Sequence, residues 1–432
     1  METSVRRRVL VFTAAGIALL AHPGASASPP ADWPGWRGPN RDALSPDQGL
    51  LPEWKASGPP LAWQASGLGA GFSSVSIAAG RIYTMGDRDG AQHLIALNQA
   101  DGKPLWTARV GPPWKDEMGG PRGTPTVDGD LVFAIGTEGD LVCVEAATGK
   151  ERWRRSLTRD FGGDMMSMWK FSESPLVDGD RLVFTPGSRS AALVAVDKKT
   201  GKEIWRTAAS DLGPKGKDGA AYSSVVISNA AGVKQYVQLL GRGLVGVRAS
   251  DGKLLWSYNR VANSVANIAT PIVRANFVFA STGYQTGSVL LDLQKDGDGV
   301  KAREIYFLEA KVLQNHHGGL VLVGNYVYGG HGQGKGFPIC VELTTGKVAW
   351  GGDIRNAGTG SAAVVYADGN LVFRYQNGAV VLIEASPEGY KEHGSFAIPG
   401  VKDPSWSHPV VLDGVLYLRE QDTLFAYDVR KH

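Results

Sequence analysis

Apolar and polar residues alternate along this chain in short runs, not at a helical spacing of three or four. Leu141-Val-Cys-Val-Glu145 leads into Ala-Ala-Thr-Gly-Lys150 and then Glu-Arg-Trp153. A period-two run of that length predicts a strand, Thr-Gly-Lys predicts a turn, and a second short strand closes on the tryptophan. The same unit recurs over residues 94–106, 193–205, 244–256 and 339–350. Ahead of the unit lies a small, polar lead-in and a further strand, as in Thr124-Pro-Thr-Val-Asp-Gly-Asp130, Ser174-Pro-Leu-Val-Asp-Gly-Asp180, Thr270-Pro-Ile-Val273 and His408-Pro-Val-Val-Leu-Asp-Gly414. The Asp-Gly step is a two-residue hairpin signal. Another strand follows it, as in Leu131-Val-Phe-Ala-Ile135, so each unit holds four strands.

The closing aromatics are Trp63, Trp106, Trp153, Trp205, Trp256, Phe307, Trp350 and Phe396, spaced by 43, 47, 52, 51, 51, 43 and 46 residues. Four-stranded units at that period are propeller blades. Eight aromatics predict an all-β, eight-bladed β-propeller of four-stranded antiparallel blades. Trp63 precedes any complete copy, whereas residues 407–429 supply three strands without a fourth. Pairing Leu61-Ala-Trp-Gln64 with that last blade closes the ring by an N-terminal strand and removes exposed sheet edges.

Composition adds three points. The 57 Gly and 23 Pro suit many turns, and a net charge of +3 without a run of five like charges excludes a nucleic-acid-binding surface. Residues 28–60 form an arm rich in Trp, Pro and Gly, including Asp32-Trp-Pro-Gly-Trp-Arg-Gly-Pro-Asn-Arg-Asp42. It lacks strand and helix periodicity, and Trp33, Trp36 and Trp54 favour docking on the body over exposure to water. Finally, Arg6-Arg7-Arg8, an apolar run from Val9 to Ala21 and Ala25-Ser26-Ala27 predict a signal peptide over residues 1–27, cleaved after Ala27. The run is too short to span a bilayer. Ser28 stands after the cut, so neither a membrane span nor a lipid anchor is expected, and the protein should be periplasmic or secreted. The propeller then occupies residues 61–432. Cys143 and Cys340 fall on third strands of blades two and six, on opposite sides of the ring and too far apart for a disulfide.

Turns of the form Asp-x-x-Thr-Gly-Lys-x-x-Trp, once per blade over residues 61–429, resemble the pyrroloquinoline-quinone-type repeat. That is the tryptophan-docking propeller of bacterial quinoprotein dehydrogenases and of the BamB outer-membrane assembly lipoproteins. Trp33-Pro-Gly-Trp-Arg-Gly-Pro, Asn315-His-His-Gly-Gly319 and Gly329-Gly-His-Gly332 resemble the secreted PQQ-like proteins of environmental bacteria. The dehydrogenases carry a vicinal Cys-Cys pair and the assembly proteins a lipobox Cys; this chain has neither.

Chemistry is expected where the repeat is broken, on the eight lead-ins at one mouth of the channel. They place Phe72, Arg122, Glu173, Tyr222, Asn267, His316 and His317, Thr359 and Trp406 in a ring. Glu173 is either a carboxylate bonded to the preceding turn or paired with Arg122, or a cation ligand or base. With Asn267 it would suit Ca²⁺, as beneath the quinone of the dehydrogenases the chain resembles. His316 and His317 are adjacent, so on a strand only one would face inward; His317 with His331 is a candidate transition-metal pair. Met165-Met-Ser-Met168 and Trp169 read as an apolar loop over the channel end. Asp296-Gly-Asp-Gly299 reads as the hairpin between the last two strands of blade five. Two functions follow. One is a binding scaffold for a small molecule, glycan or protein at one face. The other is a PQQ- and Ca-dependent alcohol or sugar dehydrogenase, with Arg122 polarising a quinone oxygen.

Overall fold

The computed structural model describes residues 32–402 and 404–431 together with Met1, and the signal peptide expected over residues 1–27 lies outside the described residues apart from Met1. The described chain forms eight four-stranded antiparallel sheets. Blade one runs Ser76–Ala78, Arg81–Arg88, Ala91–Asn98 and Pro104–Gly111 from inside to outside. The innermost strands of blades one to five and of blade eight are three residues long, and those of blades one and eight are wholly buried. Outer strands alternate instead: in Glu203–Thr207 the buried Trp205 and Thr207 interleave with exposed neighbours.

Ring closure follows the expected pairing. Leu61–Ala65 lies antiparallel to Thr423–Asp428, with Gln64 opposite Phe425. Gly287–Asp296 and Gly299–Glu309 pair with Asp296 opposite Gly299, so the Asp-Gly-Asp-Gly stretch is a hairpin. Cys143 and Cys340 are buried, unbonded thiols on the third strands of blades two and six.

Adjacent blades are joined through the repeated tryptophans. The indole N–H of Trp106 donates to Ala146 O at 3.1 Å, that of Trp153 to Lys198 O at 3.0 Å, and that of Trp205 to Ala249 O at 3.3 Å, each in the following blade. Trp350 reaches Ser386 O at 2.7 Å in the same way. Trp256 departs from the pattern and donates to Gln235 within its own blade. The ring beneath the indole must be bare. Gly149 and Gly201 have φ of 73° and 68°, and a Cβ there would lie 2.5 Å from Trp106 and 2.8 Å from Trp153. Glycine is thus required at the turn twice over, by conformation and by contact.

The arm is docked, and it lies deeper than a segment resting on the body. Trp33 exchanges 2.8 Å backbone bonds with Ile77 on the inner strand of blade one, and Pro34 O accepts from Val127 N of blade two. Further on, Leu44 bridges Tyr366 of blade seven in parallel, and Asp47 accepts from Gly414 N in the hairpin of blade eight. Trp54 packs edge-on against Phe396 at 5.5 Å. The arm therefore crosses the inner circle of the ring before running out over blades seven and eight.

Gly201→Ala should lower the unfolding free energy by more than about 1 kcal/mol, the cost of a left-handed non-glycine residue alone. Denaturant titration checks this, and an unchanged midpoint would contradict the docking argument.

Candidate ligand site

Each inner strand runs from its lead-in loop to its hairpin, so the eight lead-ins share one face and the hairpins the other. Two arginines of the arm sit between those faces. Arg41 is buried, and its guanidinium donates to Val225 O at 2.8 Å, Ser174 O at 2.9 Å and Pro175 O. Arg37 is buried beside it and donates to Arg41 O at 3.3 Å, Asp42 O at 3.1 Å and Leu320 O. Contacts with blades three, four and six place these groups on the channel axis. Burial lowers both to a pKa of about 10, so both stay charged at neutral pH. Trp36 completes the crossing: its N–H donates to Thr270 Oγ1 at 3.0 Å, and its ring lies 4.5 Å from that of His408. The arm is a floor across the channel.

Above the floor, on the lead-in side, is a cavity of about 450 Å³. Of the residues expected in the ring, Phe72, Arg122, Tyr222, His316, His317 and Trp406 line it. Trp36, Arg37, Trp169, Tyr284 and His408 line it as well. Among the described residues no carboxylate side chain does. Arg122 is stacked over Trp114 at 4.5 Å and Phe72 at 5.3 Å and donates to Met118 O at 2.5 Å. Ser167 bonds the Tyr222 hydroxyl at 2.7 Å, which fastens the methionine loop; Met166 is buried in it and Met168 is 69% exposed at its tip.

Both adjacent histidines face the cavity, contrary to the expectation of opposite facings. They lie in a loop ahead of the strand Leu320–Val323, where strand alternation does not apply, and their rings are 4.1 Å apart. His316 bonds Ser361 Oγ at 2.7 Å and the Tyr284 hydroxyl at 3.1 Å. Tyr284 and Gln285 carry left-handed backbones, φ 55° and 62°, and their N–H groups donate to Gln333 and Gln314 side chains. That held strain aims the tyrosine at the histidine. His317 packs edge-on against Trp406 at 4.6 Å.

Glu173, Asn267, Thr359 and His331 stand outside the cavity lining. Glu173 is 3% exposed; its carboxylate accepts from Thr185 N at 2.7 Å, Thr185 Oγ1 at 2.9 Å and Gln238 Nε2 at 3.2 Å. Burial raises its pKa to about 7, against the pull of those donors and of Arg41. Hydrogen bonds from Thr185 of its own blade and Gln238 of blade four, with the charge of Arg41, thus stand where a pairing with Arg122 was one of the alternatives. Asn267 accepts from Asn263 N and donates to Leu240 O and Gly241 O, all at 3.0 Å. Thr359 N donates to Asn377, and His331 Nδ1 accepts from Gln314 N at 3.3 Å. A calcium ion takes six to eight oxygens. The Glu173 and Asn267 oxygens are already engaged, and no group of three or more His, Cys, Asp or Glu suited to a metal occurs among the described residues. These residues do not fit Ca²⁺.

Sequence reasoning missed Trp36, Arg37, Tyr284 and His408. The arm residues carry no periodicity, and the other two sit one loop or two residues away from the aligned lead-in positions. A pair of arginines amid Trp, Pro and Gly was the available signal for the floor.

Residues 91–352 match the family model described as outer membrane protein assembly factor BamB. A protein of that name from Xanthomonas campestris pv. campestris is 26% identical over 166 residues, covering 37% of this chain and 37% of its own length. Quinohemoprotein alcohol dehydrogenase ADH IIB of Pseudomonas putida is 27% identical over 226 residues, covering 48% of this chain and 30% of its own length. The chain thus spans well under half the length of these curated relatives. Among solved structures, BamB from Moraxella catarrhalis superposes with a TM-score of 0.58 at 15% identity, over 83% of this chain and 95% of that one. Quinohemoprotein alcohol dehydrogenase from Comamonas testosteroni gives 0.63 at 12% identity, over 94% and 82%. At those identities the likeness is one of fold.

Burial lowers His316 to a pKa of about 4 and His408 to about 3, and holds His317 well below its usual value. An unfolded imidazole titrates near 6.5, so between pH 6.5 and 4 the unfolded chain binds protons that the folded chain refuses. These histidines therefore withdraw stability as pH falls through that window, while the raised Glu173 acts in the opposite sense. His408→Gln should flatten the wild-type decline in melting temperature between pH 7 and 4.5; an identical profile would contradict the assignment.

Proposed function

The chain belongs to the propeller family whose model is described as outer membrane protein assembly factor BamB, and from that premise we propose that it is a ligand-binding propeller whose channel cup holds one small ring-bearing organic molecule. The observation that carries this reading is the arm floor, which turns an open channel into a blind cavity walled by Trp36, Phe72, Trp169, Tyr222, Tyr284 and Trp406. Aromatic walls with a few fixed polar groups are what small-molecule sites require. Neutral imidazoles and the absence of a lining carboxylate among the described residues argue for recognition over acid–base turnover.

The division into a leader over residues 1–27, an arm over 28–60 and a propeller over 61–432 is part of this proposal. So is export to the periplasm or beyond, in keeping with a relative named for the outer membrane. Among the described residues no helix is long and apolar enough to cross a membrane. A protein or glycan partner on the same rim would meet the exposed Met168.

A second reading is a quinone-dependent alcohol or sugar dehydrogenase, favoured by the likeness to quinohemoprotein alcohol dehydrogenases. Pyrroloquinoline quinone is flat and aromatic, so it falls within the class the cup suits, but the calcium ligands expected beneath it are engaged elsewhere.

Titration with 2-naphthol and with pyrroloquinoline quinone, with and without Ca²⁺, should give saturable tryptophan quenching that does not depend on Ca²⁺. Trp406→Ala should weaken it about tenfold, equivalent to about 1.4 kcal/mol of contact. Alcohol- or sugar-dependent dye reduction with the quinone bound would establish the second reading, and no quenching by either probe would sink the first.

A further inference from the structure

Resting on the cup reading, we propose that the N-terminal arm supplies an oxyanion subsite, so that the cup takes a ring-bearing carboxylate anchored on Arg37. Arg37 is 5% exposed, and Nε and Nη2 are spent on three backbone carbonyls. Nη1 is buried and has no hydrogen-bond partner. A guanidinium offers five N–H donors, and two of them here point at no acceptor in the protein. Leaving a buried cation's donors unmet is costly, so a group that brings an acceptor to them gains binding energy.

The surroundings say what would arrive. Gly319 lines the cavity beside Arg37, with φ 72°, and a Cβ on it would lie 2.6 Å from Nη1 and 3.4 Å from His408 Cε1. Only a glycine lets the loop lie this close to the unmet donors, since any side chain there would collide with them. Asn315 pins this glycine, accepting from its N–H at 3.0 Å and donating to its carbonyl at 3.1 Å, so the close approach is built into the loop. Asp42 acts on Arg37 through space only; its carboxylate accepts from Leu44 N. His408 and His317 nearby are held neutral, with Arg37 itself among the charges that disfavour a proton on His408.

A neutral acceptor would satisfy the N–H groups, but a carboxylate also balances two lining arginines in a cavity without a lining acid among the described residues. The aromatic walls select the ring attached to it. Because Arg37 belongs to the arm, such a ligand would bind the arm and the propeller at once and favour the docked arm by mass action.

The test compares 2-naphthoate with 2-naphthamide, equal in ring and size but unequal in charge, by fluorescence or calorimetric titration of the full chain. The wild type should prefer the carboxylate at least about tenfold, the scale of one charge-assisted hydrogen bond. Arg37→Gln should reduce the preference to near unity, with limited proteolysis reporting that its arm remains docked. Gly319→Ala, which keeps the Arg37 guanidinium but crowds its Nη1, should lose the preference too, with the same proteolysis reporting on the arm. Arg122→Gln should retain most of it. Equal binding of the two probes by the wild type, or a preference that survives both Arg37→Gln and Gly319→Ala, overturns the subsite while leaving the cup reading intact. Failure of both probes to bind overturns the cup reading and the subsite together.

Discussion

The closing tryptophans of blades one, two and three each lie on the turn glycine of the next blade and cap a carbonyl beyond it, and the setting of one blade on the next follows from that contact. The indole has one donor and one bare surface to cover, so its position relative to the next sheet is set in both distance and tilt. With the ring closed by Leu61–Ala65 against Thr423–Asp428, a central channel is left, bounded by short inner strands. Side chains of the N-terminal arm reach into it.

The occupant is the arm, and it does the work with guanidinium groups. Arg41 and Arg37 reach backbone carbonyls at the starts of inner strands from blades three, four and six. A planar group with five donors suits such a circle of carbonyls better than a lysine ammonium, which is more strongly hydrated and carries three. Burying two cations also shapes the chemistry above them. Arg37 adds to the effect of burial in disfavouring protonation of His408, while the Glu173 and Asp42 carboxylates are held by hydrogen-bond donors outside the cup. The cavity is left aromatic, neutral in its imidazoles and positive in its arginines.

The strand pattern, the blade count and the closure were legible because each is local or repeated: alternation is a property of four or five residues, and Asp-Gly and Thr-Gly-Lys turns recur in register. Phe72, Arg122, Tyr222, His316, His317 and Trp406 were legible as cavity residues for the same reason, since equivalent positions in a repeat point to equivalent places. Glu173 and Asn267 occupy such positions too, yet their side chains turn away, drawn by Thr185 and Gln238 in one case and by Leu240 and Gly241 in the other. The choice between facing the channel and bonding the backbone is made by partners far off in sequence.

By itself, then, the sequence determined an eight-bladed closed ring and the mouth at which its irregular residues gather, because periodicity and turn chemistry act over a few residues. The tertiary structure alone decided that the arm runs through the channel instead of along the surface. It also decided that His316 and His317 face the same way and that Arg37 keeps two donors unspent beside Gly319. Those outcomes depend on which carbonyls, carboxylates and rings the closed ring brings within a few ångströms, and the linear order of residues carries no record of such distances.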